Sequence, residues 1–120
     1  MSDLQLYTYR AVVVRVVDGD TLILDIDLGC GVWLRGERCR LLGIDTPEPR
    51  GETKEEGQRA TRYVQQLVET YGDQVVIQTA KDTKGKYGRW LVTVWLEDNG
   101  GQDSLNARLL KSGMAREMDA

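Results

Sequence analysis

One long stretch of helical period interrupts a chain whose apolar residues elsewhere mostly alternate in twos. Ala60, Tyr63, Val64, Leu67, Val68 and Tyr71 recur at the three- and four-residue spacing of an amphipathic helix. Thr53, with Glu56 three residues later, reads as a capping box ahead of that stripe, and Gly72 reads as its stop. On both sides the period is two. Leu22, Leu24, Ile26 and Leu28 share one face of residues 20–28, and Trp90, Val92, Val94 and Leu96 share one face of 89–97. "TYRAVVVRVVD" at 8–18 and "QVVIQTA" at 74–80 are β-branched and extended. A third strand, "VWLRGERCRLLGI", follows the bend expected at "GCG" (29–31), and Arg35-Gly36-Glu37 within it reads as a hairpin turn.

A short helix near 104–112 completes the pattern, with Ser104 as N-cap and Gly113 as its end. The order is three strands, a helix, two strands and a short helix. That order predicts an α+β chain that is mainly β: a five-stranded OB-fold Greek-key barrel, with a helix between strands three and four and a short C-terminal helix. No repeat, linker or low-complexity tract divides it, so one domain over residues 1–120 is expected.

Composition narrows the chemistry. About 41% of the 120 residues are apolar and 29% charged, as in a soluble globular chain. No run is long enough to span a bilayer and "MSDLQLYTYR" has no leader pattern, so no membrane partner and a cytoplasmic location are expected. There is no histidine, which removes Ser-His-Asp and Cys-His nucleophile schemes and any His-ligated zinc site. Cys30 and Cys39 are too few for a Cys₄ site and are expected as reduced thiols. Catalysis must then rest on carboxylates, guanidiniums, hydroxyls, amines or a metal held by oxygen. The net charge of −3 argues weakly against a nucleic-acid partner, but Lys81, Lys84, Lys86 and Arg89 crowd one segment and Arg35, Arg38 and Arg40 another.

Two apolar runs stop abruptly on acids: "VVDGDT" at 16–21 and "RLLGIDTPE" at 40–48. Each alone reads as a turn. Together they put Asp20 at the start of the second strand and Asp45 at the end of the third, ends that share one edge of an antiparallel pair. Two such carboxylates, a backbone carbonyl and water suit a hard divalent cation. Arg40 and Arg89 offer planar forks to phosphate oxygens, and Glu48, in a Pro-x-Pro frame, is a general base of the kind a histidine supplies elsewhere.

"VVDGDT", "RLLGIDTPE" and "KYGRWL", in this order and with the helix between the second and third, resemble the thermonuclease family, also called the staphylococcal or micrococcal nuclease family. The similarity runs from about residue 10 to 116. The resemblance implies a calcium-dependent nuclease that cuts DNA and RNA into 3′-phosphorylated fragments. Single strands are expected to be cut faster than duplex, because a shallow barrel face reaches exposed nucleotides more easily. It implies that Asp20, Asp45 and the Thr46 carbonyl hold calcium, with Asp18 and Thr21 supporting them. Glu48 is implied as general base, Arg40 and Arg89 as the grip on the scissile phosphate, and Lys86 and Tyr87 as lining for the nucleotide pocket.

The chain departs from the family pattern in four places. The hairpin between Asp20 and Arg40 is longer, the loop after Glu48 is shorter and acidic, and Asp119 falls where a late tyrosine is expected. A further helix usual in the family is absent. The missing helix predicts an uncovered apolar surface near 105–118 and a two-fold homodimer through it; the alternative is a monomer whose hairpin, with Trp33, folds over the gap. The rival function is a non-catalytic OB-fold module that binds nucleic acid or protein. Retention of Asp20, Arg40, Asp45, Glu48 and Arg89 together favours the enzyme.

Overall fold

The computed structural model describes residues 6–84, 89–96 and 103–118. Five strands close a barrel: β1 (Thr8–Asp18), β2 (Thr21–Gly29), β3 (Val32–Leu41), β5 (Gln74–Lys84) and β6 (Trp90–Leu96), in the order β1-β2-β3-β6-β5. Neighbours are antiparallel except β3 and β6, which run parallel with Cys39 opposite Trp90 and Leu41 opposite Val92. A long helix, α1 (Lys54–Tyr71), and a short one, α2 (Leu105–Lys111), complete the α+β barrel expected from the apolar periods.

Alternation fills the barrel. Leu22, Leu24 and Ile26 of β2 meet Ala11 and Val13 of β1, Val75 and Ile77 of β5, and Val92, Val94 and Leu96 of β6 in one buried cluster. Leu28, the last of the β2 series, is exposed, because it lies where the β2–β3 arm leaves the core. The arm turns at Cys30-Gly31, flanked by Gly29, with all three residues at positive φ. Arg35-Gly36-Glu37 is therefore not a hairpin turn but a bulge inside β3. Gly36 sits there at φ 64°, opposite Asp25, whose carboxylate accepts the Gly36 N–H at 2.8 Å and faces Arg35 at 3.1 Å.

α1 lays Ala60 and Val64 against the barrel, with Tyr63, Leu67, Val68 and Tyr71 partly buried beside them. It ends at Gly72, φ 96°, whose N–H bonds the Val68 carbonyl. The expected capping box does not form. A turn of 3₁₀ helix, Gly51–Thr53, precedes α1, and the Thr53 hydroxyl donates instead to the Glu48 carbonyl at 2.7 Å. Ser104 does cap α2, accepting the Ala107 N–H at 3.0 Å. Behind it the buried Asn106 accepts the Val94 N–H and donates to the Leu42 and Val92 carbonyls, fastening α2 to β6.

The third strand of the sequence reading divides in two. β3 stops at Leu41, Gly43 turns at φ 80°, and Ile44–Asp45 form a separate short strand, β4. β4 pairs with β7 (Arg116–Glu117), which follows α2. Within 105–118 the apolar residues mostly face inward: Leu105 and Leu109 are buried, and Leu110 and Met114 pack on the core. The apolar patch expected there comes down to Met118 among the described residues. Further exposed apolar side chains lie elsewhere, at Leu6, Tyr7, Val14, Leu28, Val32 and Trp33. Trp33 carries the Arg35 guanidinium 4.5 Å above its ring. Cys30 is exposed and Cys39 buried, both as free thiols. No helix among the described residues is long and apolar enough to cross a membrane.

Candidate active site

At one end of the barrel the start of β2, the end of β3 and β4 bring charged groups together. The Asp20 carbonyl accepts the Leu41 N–H at 2.9 Å, and Thr21 pairs with Arg40 across the strands. Gly19 is required by packing: a Cβ there would stand 2.8 Å from the Ala60 Cβ and 3.1 Å from the Thr46 Oγ1. The turn that carries Asp18 and Asp20 is thereby pressed between α1 and the Thr46 loop.

Asp20 is 9% exposed. Its Oδ1 accepts the Thr21 hydroxyl at 3.0 Å and its Oδ2 the Thr46 N–H at 3.3 Å. Arg40, buried beside it, reaches both acids through one nitrogen: Nη2 lies 3.5 Å from Asp20 Oδ2 and 3.0 Å from Asp45 Oδ1. Nη1 donates to the carbonyls of Ile44 at 2.9 Å and Leu41 at 3.2 Å. Such a buried charge needs both partners and hydrogen bonds to be tolerated, and Arg40 has them. From the far side Arg116 Nη2 approaches Asp45 Oδ2 at 3.3 Å, and Met118 Sδ lies 3.9 Å from Arg40 Nη2.

Asp18 is half-buried. Burial raises its carboxyl above the ordinary carboxylate value; the neighbouring charges of Asp20 and Glu48 add to this, while Arg50 and Arg38 oppose it. Glu48 projects from the Thr46–Arg50 loop with its side chain 72% exposed and Oε2 3.5 Å from Arg50 Nε. The loop is fixed from behind by the Thr53 hydroxyl and by Gly57 of α1, where a Cβ would lie 2.4 Å from the Glu48 carbonyl carbon. Arg89, partly buried, directly precedes β6, two positions before Leu91, the parallel partner of Arg40. Lys86 and Tyr87 lie outside the described residues.

The structure thus brings together Asp18, Asp20, Thr21, Arg40, Asp45 and Thr46, with Glu48 on the adjoining loop. Sequence reasoning passed over Arg116 and Met118, which reach the site from far along the chain and leave no local trace. It also passed over Gly57, whose trace was legible: a glycine inside a helical run costs about 1 kcal/mol against alanine and implies a close neighbour.

The donor set suits a hard cation. Every candidate ligand is an oxygen, and Asp20 and Asp45 already converge on one positively charged group. No cluster of three or more His, Cys, Asp or Glu side chains able to hold a metal occurs among the described residues, so a backbone carbonyl and water would have to complete the coordination.

A closed mixed barrel with an acid–guanidinium cluster at one end defines the class. The staphylococcal nuclease homologue family matches residues 38–120, and the chain belongs to that family. It is 36% identical over 105 residues to a thermonuclease of Staphylococcus intermedius, an alignment covering 85% of this chain and 55% of the relative. It is 33% identical over 119 residues to a thermonuclease of Staphylococcus hyicus, covering 97% and 62%. Against the endonuclease YhcR of Bacillus subtilis it is 30% identical over 115 residues, covering 89% of this chain and 9% of the relative. The chain therefore spans little more than half the length of the two thermonucleases.

Proposed function

We propose that this chain is a calcium-dependent nuclease that hydrolyses phosphodiester bonds of DNA and RNA, with single strands cut faster than duplex. The observation that carries the reading is the convergence of Asp20 and Asp45 on Arg40 beside the Glu48 loop. Asp20, Asp45 and the Thr46 carbonyl are the groups to hold the cation, with Asp18 and Thr21 behind them. A bound calcium ion would neutralise the two acids and polarise a phosphoryl oxygen. Glu48, open to solvent, takes a proton from the water that attacks phosphorus in line. Arg40 and Arg89 bind the negative charge that accumulates on the phosphoryl oxygens in the transition state, an interaction that speeds the reaction because it strengthens there. Lys86 and Tyr87 are assigned to nucleotide binding by the family resemblance alone. The P–O5′ bond breaks as water attacks, the leaving 5′-oxygen takes a proton from Arg89 or from water, and 3′-phosphorylated fragments result.

Incubation of the pure protein with single-stranded DNA, with calcium and then with excess chelator, tests the reading. Cleavage with calcium and none in chelator is expected. Persistent cleavage in chelator would refute the cation's role. Binding without cleavage under both conditions would assign the chain to the non-catalytic barrel modules.

A further inference from the structure

Arg40, which grips the scissile phosphate in the proposed reaction, is buried and held in place by the carbonyls of Leu41 and Ile44 and by the acids Asp20 and Asp45. The guanidinium on the other side of Asp45 is in the opposite situation. Arg116 has an 83% exposed side chain and touches Asp45 Oδ2 at 3.3 Å. Asp45 gives its other oxygen to Arg40, which also has Asp20, so Arg116 meets the cluster through one nitrogen and turns the rest of its guanidinium to solvent. The single contact also restrains a long side chain in advance, which reduces the ordering cost of a further interaction.

Arg116 stands on the rim of a cleft of about 320 Å³ between Asp45-Thr46-Pro47 and Thr53 on one side and Met114, Ala115 and Arg116 on the other. The volume falls at the small end of ordinary ligand sites and is enough for one nucleobase. Its walls combine apolar faces, Pro47 and Met114, with threonine hydroxyls, the Arg116 guanidinium and the Asp45 carboxylate, whose two oxygens are taken by Arg40 and Arg116. That chemistry suits a base in the cleft and a phosphate on the outer side of Arg116. A nucleic-acid strand carries a phosphate at every nucleotide, so a strand crossing Arg40 and Glu48 must set its next phosphate beside the cleft or on the opposite side.

We propose that the cleft is a subsite for the nucleotide adjoining the scissile phosphate, and that Arg116 binds that nucleotide's phosphate. The inference rests on the nuclease reading and adds a residue and a direction to it.

The test is binding of a fluorescent single-stranded oligothymidylate in calcium, followed by anisotropy against salt. A Glu48→Gln background preserves the strand, and the proteins compared are Glu48→Gln alone and with Arg116→Gln or Arg116→Lys. Removing one phosphate contact should lower the slope of log K against log salt by about 0.7 and weaken binding on the order of threefold to tenfold. Arg116→Lys should keep the slope, since it keeps the charge, whereas loss of a purely structural contact would leave the slope unmoved in every variant. An unchanged slope and affinity in Arg116→Gln overturns the subsite while leaving the nuclease reading intact. So does a lysine variant that loses as much slope as the glutamine one. Absence of strand binding by the Glu48→Gln protein overturns the subsite together with the nuclease reading.

Discussion

Gly57→Ala sets two effects of opposite sign against each other. Alanine in a helix interior is favoured over glycine by about 1 kcal/mol, so propensity alone predicts a more stable protein. The structure predicts the reverse. A Cβ at this position would lie 2.4 Å from both the Glu48 carbonyl carbon and the Pro49 nitrogen, and 2.5 Å from the Glu48 oxygen. Ordinary carbon contacts are about 3.5–4.0 Å, so the overlap exceeds an ångström, and the obstacle is a peptide rather than the end of a flexible side chain. Overpacking of this kind costs about 1–3 kcal/mol, and backbone as the obstacle places this case at the upper end. The net loss should be about 2 kcal/mol, a fall in Tm of roughly 8 °C for a chain of this size.

Relief of the clash must also push the Thr46–Arg50 loop outward and take Glu48 with it. Misplacing a catalytic group by about 1 Å can cost on the order of 100-fold, so kcat should fall even in protein that remains folded. Thermal and urea melts followed by circular dichroism, with kcat on single-stranded DNA measured well below the melt, check both parts. A variant about 1 kcal/mol more stable than the parent, with unchanged kcat, would refute the packing argument.

Glu48→Gln keeps the shape and removes the base, so kcat should fall on the order of 10²–10⁴ with little change in strand affinity; Arg89→Lys should also be costly, because a point charge does not replace a planar fork. Steady-state kinetics with single-stranded DNA checks both. Asn106→Ala removes three hydrogen bonds and leaves the Val94 N–H buried without its partner, a loss of about 3 kcal/mol in urea denaturation. Asp25 is held below its ordinary 3.8, first by the Gly36 N–H and then by Arg35. A depressed carboxylate contributes stability above 3.8 that is lost as pH falls through the lower folded-state value. Asp25→Asn should therefore be less stable than the parent near neutrality, with the two denaturation curves converging in acid.

The barrel was legible because its strands and helix write different periods into the apolar residues, and because Ala60 to Tyr71 interrupt the alternation only once. The core of the site was legible because Asp20, Arg40 and Asp45 lie on neighbouring strands, where sequence spacing translates directly into register. What escaped depends on a choice of partner that spacing alone does not settle. Asp45 belongs to its own strand because β7 is there to pair with it, 71 residues on. Thr53 has the spacing of a cap, but the 3₁₀ turn ahead of α1 points its hydroxyl at Glu48 instead. Gly36 is a turn residue by type; a positive φ serves a bulge equally well, and Asp25 across the strand decides between them.

The pairing of β4 with β7 bears on the order in which the molecule is made. Asp20, Arg40, Asp45 and Glu48 are all synthesised before residue 50, and Arg40 has its acids and carbonyls there too, yet part of what fixes their strands arrives late. The parallel neighbour of Arg40 is Leu91, the Gly43 carbonyl waits for the Met118 N–H, and Asp45 waits for Arg116. A polypeptide still being extended on the ribosome carries the four charged residues without β6 and β7, the partners of β3 and β4. Assembly is thus deferred until translation has passed residue 118, so a chain proposed to cut RNA acquires its working geometry only after its own message has been read through that point.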